Sequence, residues 1–281
     1  MKIANLTTAA FLLSATMALA LPRSSTQPAA QGAPAQNVAA SAQATKSPHP
    51  KTQAEYDSYK AAAALTDAAK LEAAATEFAQ KFSASELRSI LFQQAMGLYQ
   101  QASDSSKALD TARTVLKYDP GNAVALLTAG QILAERTHES DLDHDDRLAE
   151  ASADARSALQ NAAGIAPPTN LPPEQFAAAL AELRGTAHEV LATVAFKKQD
   201  YFTAVKEFNF AVAEEKERTD AVVWLRLSVA HDKNGDYNSA ESAVQKAIAA
   251  SQAGSQVRQL AEQEKSRLEE LSSQAAKPAG K

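Results

Sequence analysis

The densest concentration of chemically capable side chains lies at 135–150. Glu135, Glu139, Asp141, Asp143, Asp145, Asp146 and Glu150 stand there against only Arg136 and Arg147. Asp141, Asp143 and Asp145 alternate with other residues, the spacing by which a calcium loop converges carboxylates on one hard cation. His138 and His144 flank them and would add imidazole ligands for a divalent ion. The rest of the calcium motif is missing. Asp146 stands where the sharp turn takes glycine, and Ser152 stands where a bidentate glutamate is needed. The plainer reading is a solvated acidic loop that starts the next helix, with Asp side chains near its positive end. His138, Asp141, Asp143, His144 and Asp145 are therefore the candidate metal ligands, behind that plainer reading.

Other reactive constellations are absent. There is no Gly-x-Ser-x-Gly, no glycine-rich phosphate loop and no His-Glu-x-x-His. With no cysteine, disulfides, thiolate zinc sites and cysteine nucleophiles are excluded. His188 and His231 lie within helical stretches and are read as packing histidines with hydrogen-bond partners. Paired carboxylates on helix faces serve mainly solubility. The sequence thus points to a protein that is not an enzyme and needs no cofactor.

Any site must be positioned by helices. The chain has 281 residues, 45% of them hydrophobic but only 6% aromatic, with alanine throughout. That composition suits closely packed helices better than a β-sandwich, which favours β-branched and aromatic residues. A net charge of −5 leaves no electrostatic footprint for nucleic acid. Leu87, Ile90, Leu91, Ala95, Leu98 and Tyr99 recur at three and four residues, as do Val257, Leu260, Ala261, Leu268 and Leu271. Proline is confined to the N-terminal 50 residues, Pro120, the cluster at 167–173 and Pro278, leaving long helices free to form.

The ends read differently. Lys2, the apolar run Leu6–Leu19 and Ala18-Leu19-Ala20 form a secretory leader cut after Ala20. A retained anchor is the alternative, against which the run is short for a bilayer span, and no later stretch approaches one. Export places the protein in the periplasm or outside the cell. Residues 21–51 carry Pro22, Pro28, Pro34, Pro48 and Pro50 among Ala, Ser and Gln, a tether too polar to order itself. Residues 52–272 form the helical domain, irregular at 134–150 and in a long helix at 173–198, and 273–281 form a polar tail.

The helical domain repeats. In 221–254, Trp224, Leu227, Ser228 and His231 lead into Gly235-Asp236-Tyr237, then Ala240, Val244 and Ala247. In 185–218, Leu191-Ala192 is followed by Tyr201, Ala204, Phe208 and Ala211. In 89–122, Phe92, Ala95 and Tyr99 precede Ala108, Ala112, Val115 and the turn Asp119-Pro120-Gly121-Asn122. Starts at 55, 89 and 123 are evenly spaced, at the period of about 34 residues of a two-helix repeat. These motifs resemble the tetratricopeptide-repeat (TPR) family, in particular its exported bacterial members. The resemblance covers about 55–254 and implies an all-α solenoid of about five TPR-like helix pairs, closed by a capping helix at 255–272. The unit from 123 departs from it, needing about nine extra residues between its helices to align Ala151, Ala155 and Ala158.

By the family's geometry, first helices line a concave face that binds proteins. The positions this implies include Tyr56, Tyr59, Gln93, Gly97, Leu127, Gln131, Glu189, Thr193 and Leu225. Tyr56, Tyr59, Gln93, Gln131, Glu189, Thr193 and Leu225 are the candidate partner-binding residues. The Asn, Lys and Arg that clamp a peptide carboxylate in some members are absent from these positions, so an extended or helical segment held by apolar and amide contacts is expected. The function expected is an envelope scaffold or adaptor for a protein or peptide partner. The alternatives are a metal-dependent or enzymatic protein built on 135–150 and a self-associating spacer.

Overall fold

The structure is a computed structural model that describes residues 48–167 and 171–275. The expected leader, most of the tether, Pro168–Asn170 in the proline loop and the end of the tail lie outside the described residues. Among the described residues, ten α-helices form five consecutive antiparallel pairs: α1 (Gln53–Ala63) with α2 (Ala68–Lys81), α3 (Leu87–Gln101) with α4 (Ser105–Tyr118), α5 (Ala123–Arg136) with α6 (His144–Ala162), α7 (Pro173–Lys197) with α8 (Tyr201–Glu215), and α9 (Ala221–Lys233) with α10 (Tyr237–Ala250). A final helix, α11 (Gln256–Ala275), closes the array. The described residues hold no strand, and none of their helices is long and apolar enough to cross a membrane.

One turn chemistry recurs between paired helices. Ser103, Gln199 and Gly235 adopt positive φ, at 57°, 58° and 81°, and each precedes an aspartate. The Asp104, Asp200 and Asp236 N–H groups reach back to the carbonyls of Tyr99, Ala195 and His231, each at 2.9 Å, satisfying the end of the first helix. The same three side chains, and Asp67, then start the second helix. They accept N–H bonds from Lys107 (3.0 Å), Thr203 (3.1 Å), Ser239 (3.2 Å) and Lys70 (2.9 Å) respectively. Asp104, Asp200 and Asp236 thus each end one helix and cap the next, which sets the angle of the pair, while Asp67 caps α2 alone.

The seams are built of alanine. Ala108 and Ala112, Ala151, Ala155 and Ala158, Ala204 and Ala211, and Ala240 and Ala247 are all fully buried on second helices. Their methyl groups let facing backbones come close. At the α5–α6 seam the fit is close: a Cβ on Gly130 would lie 3.2 Å from the Ala151 carbonyl oxygen, so the neighbouring backbone would have to give by a few tenths of an ångström. Larger side chains fill the spaces between pairs. Phe78, Leu71, Leu91 and Met96 form the core of the first two pairs, and Phe208, Val223 and Leu227 that of the last two.

The middle of the array is irregular. The α5–α6 connection is long, and α7 has 25 residues. Leu183 and Ala187 of α7 pack with Ala123, Leu126 and Leu127 of α5 and with Ala158 and Ala162 of α6. Leu127, placed on the concave face by its register, is therefore buried, because the first half of α7 lies over it. Gly97 is buried as well. At the boundaries, Lys51 is already fixed: its N–H donates to Glu55 (2.7 Å) and its Nζ to the Ala84 carbonyl (3.0 Å). Helix α11 continues to Ala275, past the expected start of the tail.

The turn geometry yields a test. Gln199 bears a side chain in a conformation that glycine adopts freely, so Gln199→Gly should stabilise the fold by up to about 1 kcal/mol. Asp104→Ala should destabilise it by about 1 kcal/mol. Urea denaturation monitored by far-ultraviolet circular dichroism measures both.

Candidate functional site: a groove between α7, α9 and α11

A groove of about 600 Å³ opens near the C-terminal end of the array. Helix α7 contributes Thr193, Phe196 and Lys197, α9 contributes Leu225, Arg226 and Val229, and α11 contributes Leu260, Gln263, Glu264 and Arg267. Phe208 from α8 and Glu135 from α5 complete the lining. The position of α11 follows from its packing. Ala261 and Leu268 are buried against Ala240, Val244 and Ala247, which turns the adjacent Leu260 outward, 46% exposed. The floor is thus apolar, with Phe196, Leu225, Val229 and Leu260 partly open to water.

The rim is charged but largely self-paired. Arg226 meets Glu135 at 2.7 Å, and Arg267 meets Asp232 at 2.6 Å and Glu264 at 2.9 Å. Lys197 Nζ donates to the carbonyls of Glu135 and Thr137, and burial holds its pKa below the usual lysine value.

One turn towards the N-terminus of α7 the character changes. Glu189 precedes Thr193 by a helical turn, and Gly185 precedes Glu189 by another. The carboxyl of Glu215, at the end of α8, lies directly over Gly185: a Cβ there would sit 2.8 Å from Glu215 Oε1. Burial and then the neighbouring Glu215 push Glu189 up to about 8, with Arg226 opposing in part. Burial and then Glu182 push Glu215 up to about 7. Among the described residues neither carboxyl has a hydrogen-bond or ion-pair partner.

The structure separates the candidate binding residues into three groups. Thr193 and Leu225 line the groove and Glu189 adjoins it. Tyr56 and Tyr59 lie at the far end of the array on α1; both are half-buried, and the Tyr59 ring stands edge-on to Phe78 at 6.4 Å. Gln93 accepts from Asn122 Nδ2 at 2.9 Å, so it steadies the cap of α5, while Gln131 is half-buried on α5. The contributions of Phe196, Arg226 and α11 were missed. Leu260, Gln263, Glu264 and Arg267 share one face of α11 by their three- and four-residue spacing, a signal that a pure capping role obscured.

The acidic insert is organised differently from a metal centre. Asp141 accepts the His138 N–H at 2.8 Å. Arg147 lies 3.8 Å from Asp141 and 3.9 Å from Asp143, and His144 Nδ1 lies 3.0 Å from Asp145. A turn amide and one arginine thus occupy the carboxylates locally. No three His, Asp or Glu side chains among the described residues are grouped as a metal ion would need. The two histidines in the repeats differ. His188 Nδ1 is 2.7 Å from Glu207, and its ring is 5.1 Å from that of Phe210. His231 Nδ1 lies 3.5 Å from Asp236 but forms no hydrogen bond, and burial lowers its pKa.

No protein-family profile matches the chain, and no curated protein matches it. Several solved structures are similar. PilW, described as a widely conserved type IV pilus biogenesis factor, is 16% identical, with 82% of this chain and 96% of that one covered at a TM-score of 0.48. TTC0263, a thermophilic TPR protein of Thermus thermophilus, is 12% identical, with 75% and 98% covered at 0.45. A tetratricopeptide repeat protein of Parabacteroides merdae is 15% identical, with 79% and 95% covered at 0.35. The class assignment stands on this chain's own helices. Consecutive antiparallel pairs, with α1 and α3 beginning 34 residues apart at Gln53 and Leu87, define a TPR-type α-solenoid.

Glu189 gives a pH test. The unfolded chain ionises this carboxyl near its ordinary 4.5, whereas the folded chain holds the proton to about 8. Stability therefore falls as pH rises through that window, because the unfolded state releases a proton that the folded state keeps. Glu189→Gln removes this dependence. Its stability relative to the natural chain should rise steadily between about pH 5 and about pH 8, as measured by urea denaturation across that range.

Proposed function

We propose that the chain is an exported, non-catalytic scaffold that holds a segment of a partner protein in the α7–α9–α11 groove, at the cell envelope. The observation that carries this reading is the apolar floor left open between three helices. Phe196, Leu225, Val229 and Leu260 reach solvent together, where an incoming segment can cover them. Surfaces of this kind mark protein-binding sites when they are contiguous and rimmed by polar groups. Export is supported by Lys2, the apolar run Leu6–Leu19 and Ala18-Leu19-Ala20. The self-paired rim fixes the width of the groove without adding net charge, so apolar cover supplies most of the binding.

Capture of the tagged full chain from its own envelope after light cross-linking is the test. A stoichiometric partner should be recovered, lost with Leu260→Asp and retained with a charge placed at the exposed Gln80 on α2. Because Leu260 is already partly in water, its replacement should leave the circular dichroism spectrum unchanged. Recovery of the bait alone, or of a partner indifferent to Leu260→Asp, overturns the groove reading. The same material tests export: N-terminal sequencing should begin at Leu21, and a retained Met1 would instead indicate an uncut anchor.

A further inference from the structure

The apolar floor and the carboxyl pair lie along one stripe. Glu182, Gly185, Glu189, Thr193 and Phe196 follow one another on α7 at three and four residues, the spacing that keeps side chains on one helix face. Thr193 and Phe196 line the groove, as do Arg226 and Glu135, and these last two are the charges from α9 and α5 that Glu189 feels. The acidic end is therefore continuous with the apolar end.

Charges of the opposite sign near the pair are committed elsewhere. Arg226 is bonded to Glu135, and Arg218 reaches the Ala178 carbonyl at 3.4 Å. The other groups facing the pair are acidic: Glu182 on α7 and Asp220 before α9. Gly185 leaves a notch in α7 that seats the Glu215 carboxyl, on the helix face that Glu189 shares one turn further on. Two half-buried carboxyls with no partner among the described residues, and with further acids around them, repel one another in the empty protein. A single cation entering from the groove would satisfy both.

Resting on the groove-binding reading, we propose that the partner segment is apolar along its length and carries a basic side chain. Its aliphatic or aromatic residues cover Leu225, Val229 and Leu260, and its lysine or arginine lies between Glu189 and Glu215. Burial of that cation draws both carboxyls into their ionised form, so binding at neutral pH releases protons. The match is one of charge and shape. An acidic or purely aliphatic segment would cover the floor but leave the pair unsatisfied.

The test is selection of a random decapeptide phage library on the full-length chain, followed by titration of the enriched peptides. Enriched sequences should place an arginine or lysine beside apolar residues. Replacing that basic residue with alanine, or introducing Glu189→Gln with Glu215→Gln, should weaken binding about tenfold or more. Leu260→Asp should abolish it. Calorimetry at pH 7 in phosphate and in Tris should show proton release by the natural chain and none by the double variant. Peptides that need Leu260 but show no basic preference, or that ignore the double variant, overturn this inference and leave the groove reading standing. Peptides matching this chain's own sequence overturn it in favour of self-docking. Failure to enrich any peptide sensitive to Leu260→Asp overturns both.

Discussion

Everything in this molecule depends on how closely its helices can approach. A two-helix hairpin of this size cannot bury its apolar face alone, so it persists only if a neighbour lies against it. The fully buried methyls of Ala108, Ala112, Ala151, Ala155, Ala204 and Ala240 set that distance. Replacing an alanine by a larger residue would push a seam apart along its whole length, because interiors are packed nearly as densely as crystals. The low aromatic content follows from this constraint. Phe78 and Phe208 are among the few large rings buried in the core clusters.

The aspartates at the hairpin turns complement the alanines. Packing determines how near the helices lie, and the Asp104, Asp200 and Asp236 turns determine the angle at which they arrive. Of these, Gly235-Asp236-Tyr237 was legible in the sequence, whereas Ser103-Asp104 and Gln199-Asp200 carry no glycine to mark the turn. The repeat register was legible as well: a fixed period of small and large residues is a direct image of stacked seams. The extra length between α5 and α6 and the long α7 could also be read, since proline and register together bound them.

The site was less legible. Thr193, Leu225 and Glu189 were picked by register, and they stand in or beside the groove. Leu127 was picked by the same rule and is buried, because register along one helix carries no information about a distant helix that folds across it. Phe196 and Leu260 were missed for a related reason. The groove is a property of three helices that are separated in the chain, and α11 has no repeat register from which to read it. The acidic insert illustrates the converse. Its spacing was suggestive, yet Arg147 and the His138 amide are near enough in sequence to take up the carboxylates locally.

Helix α11 does two jobs at once. It covers the last seam with Ala261 and Leu268, and it supplies one wall of the groove with Leu260 and Arg267. The end of a linear array is where it opens most readily, since the last helix has a neighbour on one side only. A segment lying in the groove touches both the wall and the floor, and so acts as the missing neighbour. If the groove takes up a segment as proposed, its occupancy and the order of the last helix would rise together.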